Sequence, residues 1–216
     1  MINNYPIIDI YEKPKIGSEL SSQMLYGEKF KIISKKKNWL KIRTNFDNYV
    51  GYIKNKKFLI KSNPKFKIYS LKSEVFCKLK NKFKKNGEFL FFASRISKIS
   101  ENKKFLEFEK NKWVKKSNLK KINHTEKNYN KLLKLFLNTK YLWGGKSARG
   151  IDCSSLVQIY FYYNSFFFPR DTKDQIKYCK KKIKKKYSGG DIIFWKGHVG
   201  VCLNKSRFIH AYGPKK

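Results

Sequence analysis

One stretch constrains this chain more than any other: Tyr141-Leu-Trp-Gly-Gly-Lys-Ser-Ala-Arg-Gly-Ile-Asp-Cys-Ser-Ser-Leu-Val157. Its glycines read as a turn region, and Leu156, Val157, Ile159, Tyr160 and Tyr163 recur behind them at helical spacing. The pattern predicts a helix over 152–163 with Cys153 at its head. A thiol there meets the positive end of the backbone dipole and unpaired N–H groups, both of which favour the thiolate.

Two of the chain's three histidines, His198 and His210, lie downstream in short β-like runs. Residues 198–203 and 207–212 read as a hairpin closed by the three-residue loop 204–206, so that opposing positions sum to 410. His198 then faces Tyr212, His210 faces Gly200, and both imidazoles share one face, because side chains alternate with period two. A two-residue loop would place them on opposite faces. A poised thiol, an imidazole and a second polar group to orient it are the parts of a nucleophilic acyl-transfer site. Residues 130–137 carry a further helical pattern, Ser188-Gly-Gly190 reads as a tight turn with Asp191 as its turn former, and 191–195 reads as a buried strand. Helices first and strands afterwards indicate an α+β layer pair.

The 216 residues carry a net charge of +36, which resembles a nucleic-acid footprint. Only Arg43, Arg95, Arg149, Arg170 and Arg207 among the 51 basic residues are arginine, however, and the lysines run through every segment beside Asn, Ile, Phe and Tyr. An AT-rich coding bias gives this profile, whereas nucleic-acid readers rely on arginine for bidentate contacts. No specific nucleic-acid partner is expected. No secretory signal and no apolar run of membrane-spanning length is visible. Cys77, Cys153, Cys179 and Cys202 show no metal-ligand spacing. Free thiols, a cytoplasmic location, no membrane partner and no metal or organic cofactor are the expectations.

Upstream, two segments about sixty residues apart repeat a weak pattern of short alternating runs and turns. The first holds Tyr26-Gly-Glu28, Trp39 and Tyr49-Val-Gly-Tyr52; the second holds Gly87-Glu88, Phe105 and Trp113. Each reads as a small antiparallel β-barrel, with domains at 1–62, 63–122 and 123–216. Trp39, Phe105 and Trp113 are expected in cores, while Tyr49, directly after a turn, is placed to meet a neighbouring domain. Cys77 and Cys202 read as buried small hydrophobes, and Cys179 as an exposed bystander in a lysine run. Arg149 and Arg170 read as surface or helix-end cations, with a bidentate grip on a substrate carboxylate as the other reading. His124 has no assigned role.

The stretch 141–157, followed by Pro169-Arg-Asp171 with Gln175, Gly190-Asp191, Gly197-His-Val-Gly200 and Ile209-His-Ala211, resembles the NlpC-type cell-wall cysteine peptidases. The resemblance implies a papain-like fold and hydrolysis of γ-D-glutamyl–diamino acid bonds in peptidoglycan stem peptides. By motif position it implies Cys153 as nucleophile, His198 as general base, His210 as its orienting partner and Tyr141 as a polarising group. Two bacterial Src-homology-type barrels ahead of such a domain resemble the dipeptidyl-peptidase branch, which releases L-Ala-γ-D-Glu from peptides with a free N-terminus during wall recycling. That branch implies Asp152 and Ser154 as the amine-binding pair, Trp143 as a pocket wall, and Glu28 and Tyr49 as further contributors from the first barrel. The alternatives are a papain-like acyltransferase and a non-catalytic protein binding the wall or an anionic polymer. The family usually continues beyond the sixth residue after His210, so either a fragment or a trimmed sheet with an open edge is expected. The thiol of Cys153 is expected to be abnormally acidic.

Overall fold

A computed structural model describes residues 1–80, 82–180 and 186–213. The chain divides into two compact units, one made of residues 1–19 and 23–124, the other of 20–22 and 125–216.

In the first unit, β1 (Ile7–Tyr11), β2 (Leu20–Leu25), β3 (Phe30–Lys36), β4 (Trp39–Thr44) and β5 (Val50–Lys54) form a five-stranded sheet in the order β2-β1-β5-β4-β3. Alternation drives it: Ile8 and Ile10, then Leu40 and Ile42, then Ile53 turn inward onto Phe30. Gly27 is required at the turn after β2. It has φ +81°, and a Cβ there would collide with the Arg95 carbonyl, which lies against the turn because the Arg95 N–H donates to the Tyr26 carbonyl at 2.9 Å.

A second set of strands follows: β6 (Phe66–Ile68), β7 (Lys72–Leu79), β8 (Lys82–Phe91), β9 (Arg95–Ile96), β10 (Ser100–Glu101), β11 (Phe105–Glu109), β12 (Lys112–Lys115) and β13 (Leu119–Lys121). They make a five-stranded sheet, β10-β11-β12-β7-β8, and a three-stranded one, β13-β6-β9. Their core of Ile68, Val75, Leu90, Leu106 and Val114 also takes in Tyr26, whose ring meets Phe108 edge-on and whose hydroxyl donates to Glu109 at 2.7 Å. Hydrogen bonding leaves each sheet open, with no closed barrel among the described residues.

Trp39 and Trp113 are buried as expected, but Phe105 is only half-buried, stacked on Phe83 with ring centroids 4.2 Å apart. Cys77 is also only half-buried, because it lies on the outer part of β7. Glu28 is buried, and its carboxylate accepts the Leu25 N–H at 2.8 Å within its own turn. The Tyr49 ring packs on the first core.

The second unit holds α1 (Tyr129–Lys134), the short pair β14 (Lys146–Ser147) and β15 (Gly150–Ile151), α2 (Cys153–Tyr163), α3 (Thr172–Tyr178), and the sheet β16 (Ile192–Trp195), β17 (His198–Cys202), β18 (Phe208–Ile209). Helix α2 packs on β17 and α1 on α2, which gives the helix-on-antiparallel-sheet layering. Helix α2 is buried along most of its length, so its apolar pattern runs nearly all round. Strand β16 is half-buried, with Trp195 44% exposed, and this departs from the fully buried strand expected. Regular pairing in the last strand is limited to two residues, and β18 is an edge of its sheet. Cys202 is buried; Cys179, at the end of α3, is half-buried where exposure was expected. No helix among the described residues is long and apolar enough to cross a membrane.

Candidate active site

Asp152 starts the site. It has extended backbone, and its side chain caps α2 by accepting the Ser155 N–H at 2.7 Å. The next residue, Cys153, is therefore the first of the helix, and it is 5% exposed. The Thr172 hydroxyl lies 3.9 Å from its sulfur, and the backbone N–H groups of Val199 and Ser154 favour the thiolate. These donors lower the thiol's pKa. Burial, reinforced by the Asp152 carboxylate, outweighs them and pushes it up. The acidic thiol expected from helix-end position alone is thus corrected: the same helix start that brings N–H groups also brings a carboxylate and removes water.

The Val199 contact ties α2 to the residue next to His198. The hairpin register is Val201↔Ile209 and Cys202↔Phe208, so opposing positions sum to 410 and the imidazoles share a face. His198 Nε2 and His210 Nδ1 are 2.8 Å apart, with the rings nearly perpendicular. Burial first, and then repulsion from His210, pushes the His198 imidazole below its ordinary value. Tyr141 bridges in parallel to Ile151, and its ring packs so closely on the backbone of Gly213 that a Cβ there would collide with it. Burial, then the Cys153 and Asp152 charges, push its phenol up to about 12, so it stays a hydrogen-bond donor at any working pH. Trp143 is 57% exposed on the loop ahead of the nucleophile.

The largest departure from the sequence reading is Arg170. It is no surface cation: its side chain is 2% exposed and forms a bidentate pair with Asp152, Nη2 to Oδ2 at 2.7 Å and Nη1 to Oδ1 at 3.0 Å. Nη1 also donates to Ser154 Oγ at 2.9 Å, and Nε to Ser22 Oγ at 3.0 Å. Asp152 further accepts from Ser154 Oγ at 3.1 Å and from the Gly144 N–H at 2.9 Å. Five donors on about four lone-pair sites saturate the carboxylate. Asp152 and Ser154 therefore hold the helix start and the glycine turn together.

Gln175 locks the other side, its Nε2 donating to the carbonyls of Ser154 and Pro169, each at 2.9 Å. Asp171 was missed. It precedes Thr172, makes no side-chain cap bond to α3, and is half-buried; burial raises its pKa while Arg170 and Lys173 pull it down. Arg149 is exposed, and Asp191 accepts the Ser188 N–H at 2.8 Å as a turn former. His124 meets the Tyr69 ring edge-on in the first unit. No cluster of three or more metal-ligating side chains occurs among the described residues.

Residues 138–216 match the NlpC/P60 family, and residues 10–58 match the bacterial dipeptidyl-peptidase Sh3 domain. A probable endopeptidase of Haemophilus influenzae is 38% identical over 34% of this chain and 50% of its own length, so the chain spans half of that relative. Dipeptidyl-peptidase 6 of Lysinibacillus sphaericus is 24% identical over 94% of this chain and 84% of its own. A γ-D-glutamyl-L-lysine dipeptidyl-peptidase of Bacillus subtilis is 26% identical over 89% of this chain and 72% of its own. The fold is that of an NlpC/P60 family protein from Bacillus cereus solved by crystallography, with TM-score 0.83, 17% identity, and coverage of 97% of this chain and 89% of that one. Residues 138–216 of this chain are an NlpC/P60 domain, with a bacterial dipeptidyl-peptidase Sh3 domain at residues 10–58 ahead of it.

Proposed function

We propose that the chain is a cysteine peptidase that cleaves the γ-D-glutamyl–diamino acid bond of peptidoglycan stem peptides and releases L-Ala-γ-D-Glu from substrates with a free N-terminus, during wall recycling in the cytoplasm. One observation carries the reading: Cys153 heads a helix that packs on β17, the strand whose His198 Nε2 lies 2.8 Å from His210 Nδ1. The dipeptidyl-peptidase names of the relatives that align along most of the chain support the substrate class.

With Nε2 engaged by His210, Nδ1 of His198 is the nitrogen left to take the thiol proton. The thiol is pushed up and the imidazole down, so the pair rests neutral, and the proton moves to His198 as sulfur attacks the γ-carbonyl. The Ser154 N–H at the helix start and the Tyr141 phenol are the donors for the oxyanion. His198 returns its proton to the leaving nitrogen as the C–N bond breaks. It then takes a proton from the water that attacks the thioester, and the thiol is restored with release of the dipeptide. Asp152 and Ser154 are the amine-binding pair of this reading, with Asp171 beside Arg170 as a further carboxylate for the substrate's ammonium, and Trp143 is the pocket wall.

Incubation with L-Ala-γ-D-Glu-L-Lys, with mass detection of the dipeptide, tests the reading. Turnover is expected to vanish in Cys153→Ala and with an N-acetylated substrate, and Asp171→Asn is expected to cut the free-amine substrate about 100-fold while narrowing its lead over the acetylated one. Turnover that survives Cys153→Ala overturns the mechanism. A product joined to an added amine acceptor would make the protein an acyltransferase.

A further inference from the structure

The first unit holds an open cleft of about 770 Å³ that the mechanism above leaves unused, and its size is that of a small-ligand site. Backbone hydrogen bonds knit the segments around it together. The Ile2 N–H donates to the Leu59 carbonyl, the Phe30 N–H to the Met1 carbonyl and the Asn45 N–H to the Lys29 carbonyl, each at 2.9 Å. Phe30 opens β3 and is 1% exposed in the core, so its neighbours Lys29 and Lys31 both turn outward, where they line the cleft. Lys61, beyond β5, lines it as well.

Three ammonium groups thus meet at one concavity, and no carboxylate lines it. The second strand set of this unit treats its lysines differently: Lys85 pairs with Glu74, Lys112 with Glu88 and Glu109, and both Lys98 and Lys116 with Glu101. Lys29, Lys31 and Lys61 form no ion pair among the described residues. The acids nearest to them in sequence are engaged in their own turns, Glu28 accepting the Leu25 N–H and Asp47 the Thr44 hydroxyl and the Tyr49 N–H. The remaining polar lining is Asn45, Ser62 and Asn63, each able to donate to an anion, and Ile60, 78% exposed, stands at the rim.

We propose that this cleft binds a phosphate monoester carrying an aliphatic substituent. The inference does not rest on the peptidase reading. A phosphate monoester brings about −1.5 to −2 charge and three acceptor oxygens, enough to engage three ammonium groups at once. A carboxylate brings a single charge in a planar fork that suits arginine, and no arginine lines the cleft. The carbon stem of the ester covers Ile60 and removes apolar area from water. All three lysines are exposed, so the attraction is weakened by salt.

Titration of the ¹⁵N-labelled full chain with n-butyl phosphate, inorganic phosphate and butyrate tests the site. Butyl phosphate is expected to move the Lys31, Asn45 and Asn63 amides on one saturable curve with a Kd below ~1 mM at low salt. Butyrate is expected to bind at least ~5-fold more weakly, and inorganic phosphate ~3-fold more weakly, with Ile60→Ser removing the second difference. The triple variant Lys29→Ala, Lys31→Ala, Lys61→Ala is expected to weaken butyl phosphate about tenfold. Lys103→Ala, Lys104→Ala, Lys110→Ala, with the same loss of charge at exposed positions elsewhere in the unit, is expected to stay within about twofold of wild type. Equal weakening in both triple variants overturns the cleft as a site and leaves only the diffuse field of a chain with net charge +36. Butyrate binding as tightly as butyl phosphate overturns the phosphate assignment. Phosphatidate in phosphatidylcholine vesicles separates the sources: retention that the cleft variant loses, beside binding of the soluble ester, assigns the phosphate to a lipid headgroup, and soluble binding without retention assigns it to a free ester. Retention with no response to the soluble ester overturns the site in favour of a flat membrane contact.

Discussion

Replacing Arg170 with methionine keeps most of the side-chain volume and removes the charge. In the native site the guanidinium donates four hydrogen bonds, two of them to Asp152 and one each to Ser154 and Ser22. Both members of the ion pair are shielded, with side chains 2% and 8% exposed, so solvent screening does little. Removing one partner leaves the other charge buried, which costs about 3–5 kcal/mol. A unit of this size loses about 4–8 °C of Tm per kcal/mol, so the shift is at least ~12 °C. Asp152→Asn is expected to cost ~2–4 kcal/mol through the cap and the same pair. The double variant is expected to cost ~2 kcal/mol less than the sum of the singles, because the second substitution removes the charge that the first left unpaired. Arg170→Lys, which offers no planar fork, should fall between. Urea unfolding followed by tryptophan fluorescence reads all four, with Trp143 and Trp195 reporting on the second unit. Additivity within ~0.3 kcal/mol, or a single-variant loss below ~1 kcal/mol, would refute the account of Arg170 as the buried keystone of the helix start.

The pH profile follows from the directions of two shifts. A lowered imidazole and a raised thiol give activity a plateau that starts below the ordinary histidine value of ~6.5 and extends above the ordinary cysteine value of ~8.5. Thiolate absorbance near 240 nm, taken as the difference from Cys153→Ser, should emerge only on the alkaline side; a full signal at pH 6 would contradict the neutral resting pair. Gly213→Ala pushes a Cβ into the Tyr141 ring and should lower kcat about tenfold with little change in KM, approaching Tyr141→Phe; a kcat equal to wild type would remove Tyr141 from the oxyanion. Gly144→Ala, at φ +73° where a Cβ would lie 2.8 Å from the Leu20 carbonyl oxygen, should cost ~2 kcal/mol in urea unfolding, and a neutral result would show that the turn relaxes freely. A cavity of about 100 Å³ lies among Tyr129, Leu133, Val157, Tyr160 and Val201, and Val157→Ile should stabilise by ~0.5–1 kcal/mol as it fills; destabilisation would mean the space is shaped too narrowly for a methyl group.

What was legible in the sequence was whatever local periodicity and loop length determine. Apolar spacing located α2, and the three-residue loop fixed the hairpin register, so His198 and His210 could be placed on one face from the sequence. The site's electrostatics were not legible in the same way. Arg170 looked like a helix-end cation because its partner lies 18 residues upstream and burial of an arginine depends on partners that only the fold assembles. Helix α3 was not legible, since Gln175 is its single buried residue and no apolar stripe marks it. The thiol expectation failed because position at a helix end implies N–H donors but is silent on desolvation and on a carboxylate one residue away. In the first unit the repeats announced strands and turns, yet Tyr26 from one repeat sits in the core of the other, a long-range contact that no local pattern encodes.

The charges that hold the site together are separate from the groups that react. Asp152 and Arg170 neutralise each other under the helix start, and both act by fixing where Cys153 stands. Cys153 and His198 are each biased toward the uncharged form, and the second imidazole, unlike a carboxylate, offers no anion to stabilise an imidazolium. A resting ion pair would have to be paid for in a site that is largely desolvated around the sulfur. The neutral pair avoids that cost and places the charge separation in the transition state, where the proposed mechanism gives it the Ser154 N–H and the Tyr141 phenol. It follows that stability and reactivity should titrate independently. Substitution at Arg170 should move the unfolding midpoint far more than the acid limb of the rate profile, and substitution at His210 should do the reverse. Parallel movement of both quantities in both variants would mean that the holding and reacting charges form one coupled network.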